Sequence, residues 1–570
     1  MILVSESQQQ AYLDAGLWSQ DSATHSLDGL LRAHAVRIPD ATALADSPDR
    51  NAWTSGDPRR LSWADLDRAV TAFARFLNSL DLPPDAVIAL YGAQTSDMVI
   101  SLLAVHRAGF IAAPIPLYWR EAEMRDYLTE IQARVIIVSD RVEADLPALR
   151  CRDLAQSLFS VKFIMGFGDF LPDGVVDLDT ILPAFAENAD AQESFVPIDP
   201  NAIVSVHPCG LQSRDTEIVL PRSSNQWLAA ERALFGAINN ERDNAAGSVL
   251  TPFSLSGLAG FLAGFIHALR HGKTLHLHHF RSLNTLNGHI DLVKPGLVLV
   301  PKSLLDEANN RLSVHRNLIV AAVWKNDHLR PQPVSGDQPE TIFDITIINE
   351  ITAFGSLRPN GAMVPEPLSL NAPGKDIALH LRGANNGRVR QPQKIGGGEL
   401  IATGAAIPEF LFPSNSEKRA LARLRNKKLD DGVHTHVACR VTNEAGTACE
   451  PIGFLINTVS RSSQVVAADE LDDLYKSVPN VADAAHFIDP NSGSLNVAVV
   501  GVGNVVPSPD EFRDALIEMG VSPLKLPEGV YRTNAIKRGV GDLVIRHELA
   551  ALIAHSETRR RVLEMQQALG

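Results

Sequence analysis

Strand-like and helix-like segments alternate in the first part of this chain, and this order constrains the fold more than any other feature. VIALYG (87–92) is short and apolar, SDMVISLLAVHRAG (96–109) repeats apolar residues at helical spacing and stops at glycine, and FIAAPIP is extended again. Strand, helix and strand in this order indicate a βαβ unit, whose two strands lie parallel in one sheet. The pattern therefore predicts a mostly parallel sheet covered by helices.

The same alternation continues along the chain. EAEMRDYLTEIQA precedes RVIIVSD, and SLNTLNGHIDLVK precedes GLVLVP. Composition changes after about residue 385, where RGANNGRVRQPQKIGGGEL indicates a loop or the entry to a smaller β element. A further α/β unit follows near the C-terminus: LNVAVVGVG predicts a buried strand, and SPDEFRDALIEMG begins a helix with Ser508 and Glu511 as a capping box. Binding sites in such sheets lie at the carboxyl ends of strands.

Composition excludes several classes of protein. The chain has 570 residues, of which 45% are hydrophobic, so it is long enough for two or more domains. A net charge of −14 disfavours a nucleic-acid partner. MILVSESQQQ lacks the features of a signal peptide, and the most apolar helix-like segment, 255–269, is too short to span a bilayer. The four cysteines have no C-x-x-C spacing. We therefore predict a cytoplasmic protein with no membrane span.

Four histidines occur close together in HGKTLHLHH. Strand alternation places His276 and His278 on one face, the arrangement of a metal-binding pair. No third ligand follows at a suitable spacing. The sequence therefore predicts that these histidines face outward, and it predicts no metal site.

A family resemblance rests on about eighty residues in one register. The stretch LSWADLDRAVTAFARFLNSLDLPPDAVIALYG, the LLAVHRAG helix and the following turn and strand resemble the N-terminal part of the adenylate-forming enzymes, the superfamily of acyl- and aryl-CoA ligases, adenylation domains and luciferases. GGGELIATGAAIP, TNEAGTACEPIGFLINTVSRSS and VYRTNAIKR follow in the family's order. The resemblance implies a large N-terminal domain (1–459) of stacked α/β subdomains plus a distorted β-barrel, and a small mobile α/β domain (460–570).

The family's phosphate loop, Y-T-S-G-T-T-G-x-P-K-G, falls on residues 207–217. Gly210 is retained, whereas Thr216 stands in the place of the lysine. Such loops bind phosphate because glycines let backbone N–H groups surround it and a lysine adds charge. We interpret residues 206–218 as a surface turn rather than a phosphate-binding loop.

The adenosine-side motifs also differ from the family. In the place of Y-G-x-T-E, Asn349 and Thr352 remain polar, but Ala353 replaces the glutamate that holds magnesium. Glu350 is a possible substitute, although three positions away its side chain is expected to point elsewhere. Val437 replaces the aspartate that binds ribose in T-G-D. Asn349 and Thr352 are equally well explained as turn residues.

Three further positions complete the comparison. Ser254 replaces the histidine that gates the acid pocket, and Arg461 retains the arginine of the G-R-x-K-D hinge. Lys537 occupies the place of the catalytic lysine, although a solvated surface lysine explains it equally well. The resemblance thus implies that Lys537 is catalytic, that Gly210, Thr352 and Arg461 bind nucleotide, and that Ser254 and Asn349 bind substrate.

Three functions agree with this sequence. The first is an ATP-dependent ligase that activates a carboxylic acid with a rebuilt site. The second is a homologue that keeps an acyl-binding pocket but does not adenylate. The third is a non-catalytic partner of an acyl carrier protein or of an intact relative. The family implies ATP, Mg²⁺ and CoA as cofactors, but the replaced motifs argue against ATP and Mg²⁺, and an apparently deleted loop before QVVAADELDDLY argues against CoA.

Overall fold

The computed structural model describes most of the chain. The described residues are 2–4, 6–14, 26–187, 195–212, 219–239, 247–315, 318–325, 339, 341–359, 362, 364–370, 376–382, 397–409, 412, 432–455, 458–461, 464–503, 505–539 and 544–553. They divide into two compact units. The large unit comprises Met1–Leu117, Arg125–Gly210 and Ile218–Leu455, and the small unit comprises Tyr118–Met124, Leu211–Glu217 and Ile456–Gly570.

A seven-stranded sheet in the large unit contains the predicted βαβ unit. The helix Ser96–Arg107 joins Val87–Tyr91 to the parallel strand Ile111–Pro114. In spatial order the strands are Val219–Ser223, Ile203–Pro208, Ile111–Pro114, Val87–Tyr91, Val135–Ser139, Phe163–Phe167 and Val176–Asp177. Only the first pair is antiparallel. Val87–Tyr91 is buried along its whole length, as expected for a parallel strand between helices.

An eight-stranded sheet forms the second layer of the large unit. Its strands, in spatial order, are Thr352–Leu357, Thr341–Ile348, Ile319–Trp324, Leu297–Pro301, Val249–Thr251, Leu275–Leu277, Thr42–Ala45 and Arg60–Ser62. The inner pairs are parallel, and the two edge pairs are antiparallel. Apolar residues of this sheet pack against Leu286 and Ile290 of one helix and against Leu305 and Leu312 of the next. Burying these side chains supplies much of the driving force for this layer.

The third sheet of the large unit has five antiparallel strands. In spatial order they are Leu368–Ser369, Ala448–Phe454, Val433–Val441, Gly397–Thr403 and Ala378–Arg382. Along Val433–Val441, fully buried residues alternate with less buried ones, which is the pattern of a sheet with one face toward a core. The predicted mixed α/β fold with a barrel-like sheet is confirmed.

The small unit contains two three-stranded sheets. One consists of Thr458–Arg461, Gln464–Ala467 and Leu211–Gln212, and the other of Val481–Ile488, Leu495–Gly501 and Gly529–Arg532. As the sequence predicts, the strand Gln464–Ala467 runs directly into the helix Ala468–Lys476. The predicted capping box also forms, because the Ser508 side chain accepts from the backbone N–H of Glu511 while the Glu511 carboxylate accepts from that of Ser508.

The helices connect these strands. They are Glu6–Asp14, Leu27–Arg37, Trp63–Asn78, Ser96–Arg107, Glu121–Glu130, Pro147–Ala155, Leu178–Glu187, Ser224–Asn239, His267–His271, Leu283–Val293, Lys302–Leu312, Ala468–Lys476, Pro509–Glu518 and Arg546–Leu549, with 3₁₀ turns at Arg50–Ala52 and Pro523–Lys525. The apolar segment that the sequence predicts to be a buried helix begins as a π-helix, Ala259–Ile266, whose residues are all buried. Within the described residues, no helix is long and apolar enough to cross a membrane.

Candidate functional site

A strained turn lies at the centre of the candidate site in the large unit. It joins the strands Thr341–Ile348 and Thr352–Leu357. Asn349 and Glu350 both have a positive φ, 51° and 56°, a conformation that is unfavourable for residues other than glycine. Glu350 stands at the glycine of the family's Y-G-x-T-E motif. The turn therefore has the positive φ that the glycine of the motif usually provides, but at this position it carries the carboxylate side chain of Glu350.

A second turn of the same kind contacts the first. His436 has φ 56° and stands at the glycine of the family's T-G-D motif. Its neighbour Thr435 accepts a hydrogen bond through its carbonyl oxygen from Asn349 Nδ2, at 3.1 Å. The two positive-φ positions agree with the register in which the motifs were compared, and the hydrogen bond brings those motifs together.

Gly210, the retained glycine of the phosphate loop, packs against this turn. Its N–H donates to the Asn349 carbonyl at 3.0 Å, and Cys209 Sγ lies 3.2 Å from the same oxygen. A Cβ at position 210 would lie 3.0 Å from Asn349 Oδ1 and 3.2 Å from the Asn349 carbonyl carbon. A side chain at this position would force the turn to move. The structure thus brings three predicted site residues together: Gly210, Asn349 and Thr352. Residues 213–217 of the loop, including Thr216, lie outside the described residues.

Apart from Glu350 Oε1, which forms an ion pair with Lys325, three buried polar atoms around this turn have no hydrogen-bond partner among the described residues. They are Asn349 Oδ1, Thr352 Oγ1 and Arg222 Nη1. A buried polar group without a partner costs about 1–3 kcal/mol, so native proteins contain few of them. Three in one region are therefore typical of a place where a ligand or water completes the hydrogen bonding.

The carboxylate of Glu350 is held by two groups of the large unit. Its Oε2 accepts from the backbone N–H of Leu258 at 2.7 Å, at the start of the π-helical segment, and its Oε1 forms an ion pair with Lys325. Lys325 immediately follows the parallel strand Ile319–Trp324. Sequence reasoning missed Lys325, although its place at the carboxyl end of a strand is where ligand sites occur.

Arg222 is the second cation that sequence reasoning missed. Its side chain is buried, its guanidinium lies 4.7 Å from the centre of the Trp227 ring, and its Nη2 donates to the Ile351 carbonyl at 2.6 Å. Burial lowers the pKa of Arg222 to about 10, against the opposing effect of Glu350, so it is charged at neutral pH. Arg222, Lys325 and Glu350 together carry one net positive charge. The visible signal was one arginine directly after the apolar run IVLP.

Ser254 lies at a small pocket in the large unit. Its hydroxyl is 3.0 Å from that of Ser256. The pocket is lined by Leu90, Gly92, Ala93, Gln94, Met98, Pro114, Ile115, Ser254, Leu255 and Ser256. The next residue, Gly257, reaches the turn, because a Cβ there would lie 3.4 Å from both carboxylate oxygens of Glu350. The short segment 254–258 therefore connects a mostly apolar pocket to the charged turn.

Ala353 and Val437 occupy the positions of the magnesium and ribose carboxylates. Both are in strands of the large unit, and their side chains are buried. Neither offers an oxygen ligand. Glu350, the carboxylate nearest in sequence, already has Lys325 and the Leu258 N–H as partners, so it does not replace the missing glutamate in this arrangement.

The two remaining predicted residues belong to the small unit. Arg461 donates to the Leu526 carbonyl at 2.9 Å and forms a 2.8 Å ion pair with Glu528, so its guanidinium holds the segment 524–528. Lys537 has a side chain that is 72% exposed and pairs with Glu548 at 2.6 Å. Within this unit, Arg461 contacts the segment 524–528 and Lys537 lies at the surface; the roles predicted for them remain predictions.

Replacing Lys537 with alanine is expected to leave folding unchanged. An exposed ion pair contributes little, because water screens its charges. The melting temperature of Lys537→Ala should equal that of the wild type within error, so any loss of activity in this variant would report on function. A clear decrease in melting temperature would contradict the surface position described above.

The prediction that the clustered histidines face outward is wrong for His276 and His278. Their exposed fractions are 4% and 1%. A third histidine, His289 of the helix Leu283–Val293, is also buried, and its Nδ1 lies 3.2 Å from His278 Nδ1. Burial lowers the pKa of each of the three to about 4. Neutral rings explain why this group tolerates burial, and sequence spacing missed the third ring because it comes from a separate helix.

Comparison with known proteins agrees with this fold. Residues 31–199 match the family model described as AMP-binding enzyme. The chain is 24% identical over 472 residues to a 3-[(3aS,4S,7aS)-7a-methyl-1,5-dioxo-octahydro-1H-inden-4-yl]propanoyl:CoA ligase of Mycobacterium tuberculosis. The structure resembles an amide bond synthetase from Marinactinospora thermotolerans with a TM-score of 0.68 at 16% identity, covering 92% of this chain and 99% of the other. Residues 31–199 are thus similar to AMP-binding enzymes, and the chain has the fold of adenylate-forming enzymes.

The extent of similarity differs among the relatives that this chain matches. The alignment with the Mycobacterium tuberculosis ligase covers 78% of this chain and 86% of that protein. An oxalate–CoA ligase of Arabidopsis thaliana is 25% identical over 253 residues, which is 44% of this chain and 45% of that ligase. This chain therefore matches less than half of the Arabidopsis protein. Adenylate-forming enzymes use ATP, and the acyl-CoA ligases among them use CoA.

Proposed function

We propose that this chain is a divergent acyl-CoA ligase-like protein that binds a small carboxylic acid but does not adenylate it with ATP. The observation that carries the proposal is the charge at the strained turn. Arg222 and Lys325 outnumber Glu350, and Arg222 keeps a buried Nη1 without a partner among the described residues. A carboxylate is the simplest ligand that balances this charge and accepts that hydrogen bond.

The pocket at Ser254 supports an acid with an apolar body. Leu90, Met98, Ile115 and Leu255 provide apolar surface, and Gln94 and the serine hydroxyls provide a few polar groups. This lining resembles that of small-molecule sites, which are mostly apolar with a few polar groups, but the cavity is about 20 Å³ and would have to widen to admit benzoate or hexanoate. Because segment 254–258 connects the pocket to Glu350 and its partners, an acid with its apolar part in the pocket would direct its carboxylate toward the turn.

The replaced nucleotide positions support the second part of the proposal. Magnesium requires oxygen ligands, and the position that provides one in the family is a buried alanine here. Val437 likewise removes the acceptor for the ribose hydroxyls. On this proposal ATP, Mg²⁺ and CoA are not cofactors of this chain, and Lys537 has no adenylate to act on. A cytoplasmic location remains a prediction.

Binding of benzoate and hexanoate tests the proposal, because they represent aromatic and aliphatic monocarboxylates. We expect saturable binding by calorimetry without ATP, and no binding of the uncharged analogue benzamide. Arg222→Gln should weaken binding by about 10–100-fold, because a hydrogen bond to a charged group contributes about 1.5–3 kcal/mol. Arg222→Lys keeps the positive charge, so its acid-binding affinity should fall less than that of Arg222→Gln.

The exposed Arg440 provides a matched control. Arg440→Gln removes the same chemical group from the surface of the large unit and should leave acid binding unchanged. If neither acid binds, or if benzamide binds equally well, the acid-binding proposal is wrong. A non-catalytic role beside an acyl carrier protein or an intact homologue would then be the better explanation, since it requires neither nucleotide nor acid.

A further inference from the structure

Two helices of the large unit bring together a carboxylate and two imidazoles. Glu231 lies on Ser224–Asn239, and His267 and His271 lie four residues apart on His267–His271. Residues at this spacing share one helix face. His267 Nδ1 and His271 Nε2 lie 2.8 Å and 3.0 Å from the same atom, Glu231 Oε1. One donor atom of each residue lies within 4.8 Å of the others.

Neighbouring side chains fix the orientation of this group. The Phe235 ring stacks on His267 with ring centres 3.9 Å apart. Arg270 donates to the other carboxylate oxygen, Glu231 Oε2, and to the Leu228 carbonyl at 3.0 Å. Glu231 Oε1 therefore faces the two histidines, and Arg270 binds Oε2 on the opposite side of the carboxylate. This is the arrangement by which outer residues orient the ligands of a metal.

The three side chains are not equally buried, and solvent can reach the group from one side. Glu231 is fully buried and His267 nearly so, whereas the His271 side chain is 29% exposed. An ion can therefore reach the group from the side of His271. Water on that side can supply a further ligand, while the protein surrounds the rest.

We propose that Glu231, His267 and His271 form a binding site for one Zn²⁺ ion. Two imidazole nitrogens and one carboxylate oxygen are a usual zinc ligand set, with water in the fourth position. Magnesium and calcium prefer oxygen ligands alone. The site joins the helix that follows the π-helical segment to its neighbour, so zinc would stabilise this part of the large unit. This site is independent of the proposed acid binding.

The same residues can be explained without a metal. Arg270 and the two histidines would then serve only to balance a buried carboxylate. The two explanations differ in their response to zinc, because a purely structural network gains nothing from the ion, whereas a zinc site is stabilised by mass action.

Zinc titration of the full chain, after dialysis against a chelator, tests the proposal. We expect one Zn²⁺ per chain by calorimetry and a higher melting temperature with zinc. His271→Ala should weaken zinc binding by roughly 100-fold or more, since even loss of an outer residue commonly costs 10–100-fold. Mg²⁺ should not bind at this site. His271 is chosen because it is the most exposed of the three ligands, so its loss should be tolerated best.

His315→Ala is the matched control. His315 is similarly exposed, at 22%, and pairs with a single carboxylate, Asp291. This variant should bind zinc as the wild type does. No stoichiometric binding by the wild type, or unchanged binding by His271→Ala, would overturn the proposal. If His271→Ala does not fold, Co²⁺ bound to the wild type decides: the visible spectrum of a tetrahedral nitrogen and oxygen site is expected, and its absence refutes the site.

Discussion

ATP–magnesium is expected to bind this protein several hundredfold or more weakly than it binds an adenylating relative with intact motifs. Three charged groups of the family are absent, because Thr216, Ala353 and Val437 stand in their places. Each charge-assisted contact contributes about 1.5–3 kcal/mol, and each 1.4 kcal/mol is about tenfold in affinity. Calorimetry at millimolar ATP–magnesium should therefore detect no saturable binding.

Pyrophosphate exchange provides the functional measurement for this prediction. An adenylating enzyme with intact motifs serves as the positive control under the same conditions. We expect no acid-dependent exchange above background with this chain. Saturable exchange at ordinary ATP concentrations would contradict the prediction, and it would mean that other residues have rebuilt the nucleotide site. The ATP-dependent ligase would then be the correct function.

Removing Lys325 should destabilise the large unit strongly. Lys325→Met leaves Glu350, whose side chain is only 10% exposed, without its cation. Breaking a buried ion pair at one partner commonly costs about 3–5 kcal/mol, and we expect the lower end because the Leu258 N–H still donates to the carboxylate. Urea titration should therefore give a free energy of unfolding about 3 kcal/mol lower than that of the wild type.

The double variant makes this second prediction specific. Adding Glu350→Gly removes the unpaired charge and places glycine at a φ of 56°, which glycine adopts without strain. Most of the lost stability should return, so the two changes should be strongly non-additive. Lys162→Met, at an exposed lysine of the same unit, should have almost no effect. Additive effects of Lys325→Met and Glu350→Gly would mean that the ion pair contributes nothing.

Hydrophobic periodicity and helix-capping residues were sufficient to predict much of the fold from the sequence. The βαβ unit around Ser96–Arg107 and the capping box at Ser508 depend on residues near each other in the chain, so local pattern determines them. The barrel-like sheet was different, because part of it follows glycine-rich sequence that no periodicity describes. Only the order of family motifs predicted it.

Site residues could be predicted from the sequence only at positions that belong to a family motif. Gly210, Asn349 and Thr352 come together because their motifs meet in the family fold. Arg222 and Lys325 carry no motif, and their roles depend on contacts with residues more than 20 positions away along the chain. Sequence spacing cannot reveal such contacts. It missed the buried histidines for the same reason, since His289 meets His278 only after a helix has packed on a strand.

The π-helix Ala259–Ile266 lies between two residues or groups of residues that bind buried carboxylates. Just before it, the Leu258 N–H is bonded to one buried carboxylate, Glu350; just after it, His267 and His271 are bonded to another, Glu231. A π-helix closes its hydrogen bonds five residues apart rather than four, so an α-helix of the same length in this segment would turn its two ends relative to each other around the axis. At least one carboxylate would then lose its partners. The π-helical geometry of this segment therefore sets how its two ends face, even though its apolar side chains can be exchanged for others of similar size.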